Sequence, residues 1–451
     1  MEQHYDVIVL GAGNAGFAPA GMAKEAGKSV LVIDGRDFGG TCALRGCVPK
    51  KVLVAAGDAL NVIADASEHK IDAAFNGIDW PALIARKETF VEGVPDMFEG
   101  SLTGRNIDTA HGAAKFTGPG EIEINGETVA GGQFVIATGS APRNLPIPGF
   151  EHAIDSDAIL DRAQLPKSLV FIGAGVIGLE FAHVFARAGT HVTILEVADT
   201  ALAAMDQDIV AALVEESGRI GIDIHTGVAT KSIAPSGDGF KVTYEEGGKS
   251  VSIDAEVVAN GAGRVAAVSD LDLDAAGIDH DGPVIALNEN LQSVSNPAVF
   301  VAGDANAASG PQLSPVATYE GRIVGNNIIN PDALQTADYL TVPRCVFTIP
   351  AMASVGYSPE EAEAAGLKFE VKLNDLKDWR SAKTYAERAA VSKVLIEDGT
   401  ERILGAHLLG HGAPETIHIF ALAMSHNISA ADLRGTVYAY PTFTSDIKNM
   451  I

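Results

Sequence analysis

Cysteine is scarce. The chain of 451 residues has three, Cys42, Cys47 and Cys345. So few do not make the disulfide framework of a small secreted protein. They fit a cytoplasmic, reducing compartment, where a disulfide is usually transient and catalytic. Basic residues are also few: 32 Lys and Arg stand against 58 Asp and Glu, a formal net charge of −26. That balance opposes binding to nucleic acid or to an anionic membrane surface. No uncharged apolar run reaches the roughly 20 residues that a membrane-spanning helix needs. The most tempting stretch, Ser168 to Leu179, is cut by Glu180 and reads as a strand entering a helix. The N-terminus is acidic and a strand pattern begins at Tyr5, so no signal peptide is expected.

What is present is a degenerate repeat. Val7-Ile8-Val9-Leu10-Gly11-Ala12-Gly13-Asn14-Ala15-Gly16 returns as Leu169-Val170-Phe171-Ile172-Gly173-Ala174-Gly175-Val176-Ile177-Gly178. Each copy is an apolar strand, a G-x-G-x-x-G turn and a helix. A second apolar strand follows and ends in an acid, Asp34 in the first copy and Glu196 in the second. Glycines there let the backbone approach a pyrophosphate seated at the helix N-terminus, and the acid binds adenosine ribose hydroxyls. Two copies in this context imply two dinucleotide sites.

A cysteine pair follows the first copy, in Gly39-Gly40-Thr41-Cys42-Ala43-Leu44-Arg45-Gly46-Cys47-Val48-Pro49-Lys50-Lys51. In a regular helix, residues five apart have Cα atoms about 8–9 Å from each other. A disulfide needs less than about 7 Å. A bridge therefore requires a distorted first turn, which Gly46 permits and Pro49 favours. A dithiol beside a dinucleotide site points to electron transfer, with FAD as the natural occupant of the first site.

The length suggests about three domains of ordinary size. The segment Gln133 to Arg143, an apolar strand running into Thr138-Gly139 and then prolines, marks an exit from the first. Ala259 to Arg264, through Gly263, marks the return. Ala298 to Asp304 is a strand ending in Gly303-Asp304, and it leads through Leu313-Ser314-Pro315-Val316-Ala317 into a helix. From about Tyr339 the pattern becomes α+β. The expected division is 1–147 and 266–335 for FAD, 148–265 for the nicotinamide nucleotide, and 336–451 for pairing of subunits.

On these motifs the chain resembles the flavoprotein disulfide reductases of the glutathione reductase and dihydrolipoamide dehydrogenase type, class I of the pyridine nucleotide-disulfide oxidoreductases. The resemblance covers nearly the whole length. It implies an α/β chain with two Rossmann-like dinucleotide-binding domains, for FAD and NAD, and a C-terminal α+β dimerisation domain. It also implies a homodimer with active sites shared between subunits. Electrons would run from nicotinamide to flavin to dithiol to substrate, with Cys42–Cys47 as the redox-active disulfide. Cys47 would lie against the flavin and form a charge-transfer thiolate, and Cys42 would attack the substrate. Lys50 or Lys51 would pair with Glu180 near the flavin. Gly11, Gly13, Gly16, Asp34, Gly40, Thr41, Thr138, Gly139, Gly303, Asp304, Ser314, Val316 and Ala317 would hold FAD. Gly173, Gly175, Gly178, Glu196 and Gly263 would hold the nicotinamide nucleotide. Glu196, with Val197 and Ala203 where NADPH-specific relatives carry arginines, favours NADH over NADPH.

The C-terminal signature departs from the family pattern of His-Pro-Thr with a Glu five residues after the His. Tyr440 stands for the His and Ser445 for the Glu, with Asp446 one position late. A tyrosine with a pKa near 10 is a poor proton shuttle at neutral pH. It can still donate a hydrogen bond to a developing thiolate. His411 and His418 are alternative acids. Gly21 stands where glutathione reductases carry a substrate-binding arginine, and Pro19 on the same helix has no evident role. Three readings stay open. The first is an enzyme reducing a small disulfide or lipoyl-type substrate. The second is a reductase of a metal ion, a quinone or a second nicotinamide. The third is a non-catalytic, redox-sensing flavoprotein.

Overall fold

The computed structural model describes residues 2–451. The chain divides into two units. The first comprises Met1–Lys51, Ala85–Arg143 and Arg264–Tyr339, and the second Val52–Ile84, Asn144–Gly263 and Leu340–Ile451. Most of the expected 148–265 and 336–451 parts fall together in the second unit.

The first unit is built on a parallel sheet in the order Asp108–His111, Val30–Asp34, His4–Leu10 and Glu127–Ile136. The last strand is shared. Its end, Phe134 to Ile136, pairs in parallel with Val299–Val301, and its start pairs antiparallel with Glu121–Ile124. Side chains of a strand alternate between faces, so a run that is apolar throughout needs cover on both. It has that cover here. Ile8, Leu10, Leu31, Ile33, Phe134 and Ile136 join one buried cluster, and Val7, Val9, Val30, Val32 and Val135 join another.

The helix Asn14–Glu25 crosses the helix Ser314–Ile329 closely on the second of these faces. Pro19 gains an account from this crossing. Lacking an N–H, it leaves the Ala15 carbonyl without an intrahelical donor. That carbonyl faces Gly321, where a Cβ would lie 2.5 Å from the oxygen, and a Cβ on Gly325 would lie 3.1 Å from Pro19 Cα and 2.6 Å from the Met22 sulfur. Glycine on one helix and proline on the other let the backbones meet.

The second unit repeats the plan. A parallel sheet runs Ile222–His225, Val192-centred His191–Leu195, Ser168–Ile172 and Val257–Asn260. The helix Val176–Ala188 follows its central strand. A three-stranded antiparallel sheet, Ala229–Ser236, Gly239–Glu246 and Lys249–Ala255, is appended. The C-terminal part is a five-stranded antiparallel sheet in the order Arg344–Val346, Met352–Gly356, Ile403–Leu409, Val391–Glu397 and Phe369–Asp375. The helix Ala413–Ser425 buries Ile417, Phe420 and Ala421 against it, spaced as one helical face requires. Cys345 is half-buried and packs against this core. Among the described residues no helix is long and apolar enough to cross a membrane.

Candidate active site

Both glycine turns take the same shape. Gly11 has φ +113° and Gly173 φ +107°, a region that favours glycine. A Cβ on Gly11 would lie 2.1 Å from the Ala137 carbonyl oxygen, and one on Gly173 2.4 Å from that of Gly261. Gly16 and Gly178 lie as tightly on the carbonyls of Gly11 and Gly173. The two acids repeat each other as well. Asp34 accepts from the backbone N–H of Ala12 and of Arg36, both at 2.8 Å. Glu196 accepts from Ala174 at 2.6 Å and from Ala198 at 2.8 Å. Each carboxylate thus ties its own glycine loop to the end of the second strand, a task beyond holding ribose.

The residues present fit dinucleotides. Gly13 and Gly175 cap their helices without any side-chain hydrogen bond, so the N-termini are open to phosphate. The Thr138 hydroxyl, where the shared strand ends beside Gly139, is buried with no protein partner, and a bound ligand would satisfy it. Asp304 accepts from the Ser140 hydroxyl at 2.8 Å, and Ser140 in turn accepts from Arg264. Val316 and Ala317 are buried in the first turn of the Ser314 helix, and Gly263 has φ +93°. Arg322, further along that helix, is exposed.

Glu320 escaped the sequence reading. It is only 1% exposed. It accepts from the Gly303 N–H at 2.6 Å, the Asn306 side chain at 2.9 Å and the Tyr339 hydroxyl at 2.6 Å. Burial raises its pKa against these hydrogen bonds. It fixes the Gly303-Asp304 turn to the Ser314 helix. An acid alone among apolar helix neighbours was the available signal. Glutamine at 320 would set an amide N–H₂ against a backbone or side-chain donor. Glu320→Gln is therefore expected to cost about 1–3 kcal/mol and to lower the temperature of flavin release, read from flavin fluorescence on heating.

The dithiol segment is zipped onto the first glycine loop. The Gly39 N–H donates to the Ala12 carbonyl at 3.0 Å. Gly40 is so close to Gly13 that a Cβ would lie 2.6 Å from its Cα. Thr41 and Cys42 lie in the short helix Gly40–Arg45. Gly46, at φ −143° and ψ −113°, breaks it, and Cys47 opens the helix Cys47–Ala64. The expected distortion is therefore at Gly46. Both cysteines are thiols in this structure, Cys42 half-buried and Cys47 exposed. The Ser314 hydroxyl donates to Cys42 Sγ at 3.0 Å, and Asn14 Nδ2 donates to Ser314 Oγ at 2.5 Å. A hydrogen bond from Cys47, aided by Ser314 and Asn14, holds Cys42 down at about 6. Cys47 is pushed up by donating that bond, by burial and by the charge on Cys42, and Lys50 opposes the rise. Asn14 occupies a variable position of the glycine motif, and no sequence signal marked it.

Lys50 and Lys51 belong to the first unit and Glu180 to the second. Glu180, 4% exposed, accepts from the Phe347 N–H at 2.7 Å. One turn on, His183 Nε2 donates to Ser217, whose hydroxyl is spent on the Leu213 carbonyl, so Nδ1 accepts from the Ile349 N–H at 3.2 Å. Burial holds His183 down at about 3, and it stays neutral. Arg187 donates to the Ile349 carbonyl at 2.6 Å. One helix face thus seats the segment Phe347 to Ile349.

In the C-terminal signature, Tyr440 is 66% exposed. Ser445 closes a cap with Thr442, to whose carbonyl its hydroxyl donates at 2.6 Å, and Asp446 accepts from Ser381. Neither residue is free to act as the family's glutamate does. His411 is exposed, its ring stacked 6.0 Å from that of Tyr385, and His418 is exposed on its helix. The Arg105 guanidinium lies over Gly21, 2.9 Å from where a Cβ would start.

Residues 5–321 match the sequence profile of the pyridine nucleotide-disulphide oxidoreductases, and residues 342–451 match that of their dimerisation domain. The chain is 29% identical to a dihydrolipoyl dehydrogenase of Chlamydia muridarum, over 98% of this chain and 95% of that protein. It is 29% identical to a mercuric reductase of Lysinibacillus sphaericus, over 99% and 82% of the two. A solved Cu(II) complex of the HOCl-induced flavoprotein disulfide reductase RclA from Escherichia coli superposes with a TM-score of 0.88. Its sequence is 26% identical, covering 100% of this chain and 99% of that one. The chain belongs to the pyridine nucleotide-disulfide oxidoreductase family. It is an FAD-dependent oxidoreductase that uses NAD(P)H and carries the family's dimerisation domain.

Proposed function

We propose that this chain passes electrons from NADH through FAD and the Cys42–Cys47 dithiol to a small disulfide or lipoyl-type substrate. The observation that carries the reading is the Cys42 sulfur. It is held low by Cys47 and Ser314 on the edge of the first glycine loop. FAD, when bound, supplies the two-electron transfer that regenerates the dithiol. Cys42 thiolate attacks one substrate sulfur and breaks the substrate S–S bond. The departing thiolate takes a proton, and a mixed disulfide forms. Cys47, losing its proton, then attacks Cys42 and releases the second thiol, leaving the Cys42–Cys47 disulfide. The substrate gains two electrons and two protons; the dithiol loses the two electrons and the Cys47 proton, and the other proton is drawn from a neighbouring acid or from water. The nucleotide residues keep the roles expected of them, and the C-terminal part pairs two subunits.

Tyr440 supports a second reading. With no histidine at its position, the proton for a leaving thiolate comes from its hydroxyl, from another acid such as His411, or from water. A metal ion as acceptor needs no such proton. The mercuric reductase and the Cu(II) complex among the relatives agree with that chemistry. An NADH-oxidation screen over disulfides, lipoamide, quinones, Hg(II) and Cu(II) decides between them, run on the wild type and Tyr440→Phe. Losing a hydrogen bond to a charged group costs about 1.5–3 kcal/mol, roughly a ten- to hundredfold loss in rate. Disulfide turnover in Tyr440→Phe is expected to fall by that factor while NADH still bleaches the flavin at the wild-type rate. Fast turnover on a metal ion, unmoved by Tyr440→Phe, establishes the second reading instead.

A further inference from the structure

We propose that Lys393 is a positioning residue for the nicotinamide nucleotide, tying the second glycine loop to the sheet of the C-terminal part. The inference rests on the proposed reading of Gly173 to Gly178 as the turn that holds this nucleotide. Lys393 lies on the strand Val391–Glu397 and is 7% exposed. Its Nζ stands 2.6 Å from a carboxylate oxygen of Asp206 and 2.6 Å from one of Asp208. Burial opposes its charge, the two carboxylates outweigh burial, and its pKa is raised. Asp206 is buried too, and its two oxygens are divided. Oδ1 caps the helix Gln207–Arg219, accepting from the N–H groups of Asp208 at 3.1 Å and Ile209 at 3.3 Å. Oδ2 is left to Lys393. A cap needs only the first. The second fixes the capped turn against the sheet, on whose strands Val391–Glu397 and Ile403–Leu409 this helix packs. Burial pushes the pKa of His407, opposite Lys393 on the next strand, down, and its Nε2 donates to the Tyr357 carbonyl, so it leaves the acids to Lys393. The other end of the turn reaches the nucleotide loop. The Met205 N–H donates to the Leu202 carbonyl at 2.8 Å, and the Leu202 N–H donates to the Ala174 carbonyl at 3.1 Å. Ala174 stands between Gly173 and Gly175, and its own N–H is one that Glu196 accepts. Leu202 has φ +44°, a conformation that a leucine keeps only where its surroundings impose it. The segment Leu202 to Asp206 is thus held at one end by the glycine loop and at the other by Lys393. A buried ion pair adds little stability over apolar side chains of the same size; what this one supplies is position.

The test uses the holoenzyme, with flavin content and dimer state measured in every variant. NADH is titrated in stopped-flow flavin reduction, which separates the half-saturating concentration from the limiting rate. Lys393→Met keeps the length of the side chain without its charge, and Asp206→Asn keeps the cap without the anion. Each should raise the half-saturating NADH concentration about tenfold and leave the limiting rate within about twofold of the wild type, a coupling of ordinary size between distant groups. The double variant leaves no buried charge unpaired. It should still need about ten times the NADH, not a hundred, because both changes cut one tie. Should a single variant fail to fold, the double variant carries the decision. A double variant that takes NADH as the wild type does overturns the proposal, because the single changes then act only by stranding a charge. Effects that multiply in the double variant, or a limiting rate that falls as far as the affinity, overturn it as well. The underlying reading fails separately. In Gly175→Ala the Cβ would meet the Gly261 carbonyl oxygen at an ordinary 3.5 Å and stand in the approach of the pyrophosphate, so NADH should weaken. NADH affinity intact in that variant means that this turn does not hold the nucleotide.

Discussion

Cys42→Ser is expected to reduce NADH-dependent disulfide turnover by on the order of 10³-fold or more, the scale set by deleting a covalent nucleophile. The half-reaction should survive: NADH should bleach the flavin of the variant as fast as that of the wild type. The split follows from the geometry. Cys42 accepts the Ser314 hydroxyl beside the glycine loop and its pKa is lowered, whereas that of Cys47 is raised. A serine hydroxyl stays protonated near neutrality, so that donor has no anion to hold. The pH dependence has a definite sign. The Cys42 thiolate is lost as pH falls through about 6. Wild-type turnover on a disulfide should fall about tenfold per unit below that value where attack limits the rate. Stopped-flow flavin reduction and steady-state assays on both proteins provide the measurement. Equal disulfide turnover in the variant would remove the dithiol from the electron path.

The second large effect concerns the nucleotide. NADH should exceed NADPH in kcat/KM by about a hundredfold, because a 2′-phosphate would meet the Glu196 carboxylate and like charges in contact cost several kcal/mol. Glu196 also accepts from Ala174 and Ala198. Glu196→Ala should therefore not turn the enzyme toward NADPH. It should weaken both nucleotides, since two loop N–H groups lose their acceptor and the Gly173 turn loosens. Val197, exposed beside it, is free to carry the arginine that a change of preference would need. Flavin reduction rates with each nucleotide, for the wild type and Glu196→Ala, give the result. NADPH equal to NADH in the wild type would show that this strand end does not read the ribose.

Much of the frame was legible because the constraints are local. A glycine at φ near +110° against a carbonyl is demanded by one tight turn, and the turn is repeated within ten residues of sequence in both copies. An apolar strand covered on both faces announces itself by its run of Val, Ile and Leu. The dithiol break at Gly46 was legible for the same reason: helix geometry forbids the bridge without it. Ser445 and Asp446 were not legible. As letters they could stand for a displaced glutamate, but a cap with Thr442 and a bond to Ser381 engage them.

The sequence by itself determined two dinucleotide turns, a dithiol beside the first and the α/β class, since each rests on backbone conformation within a short stretch. Only the tertiary structure brought Asn14 and the Ser314 hydroxyl to the first thiol. Asn14 and Ser314 are 300 positions apart, and Ser314 and Cys42 are 272. Glu320 meets Gly303 only because Gly321 and Gly325 let one helix lie against Pro19 of another. A hydrogen bond between distant side chains depends on how packed elements are oriented, to a few tenths of an ångström, and no periodicity of residues along the chain records that.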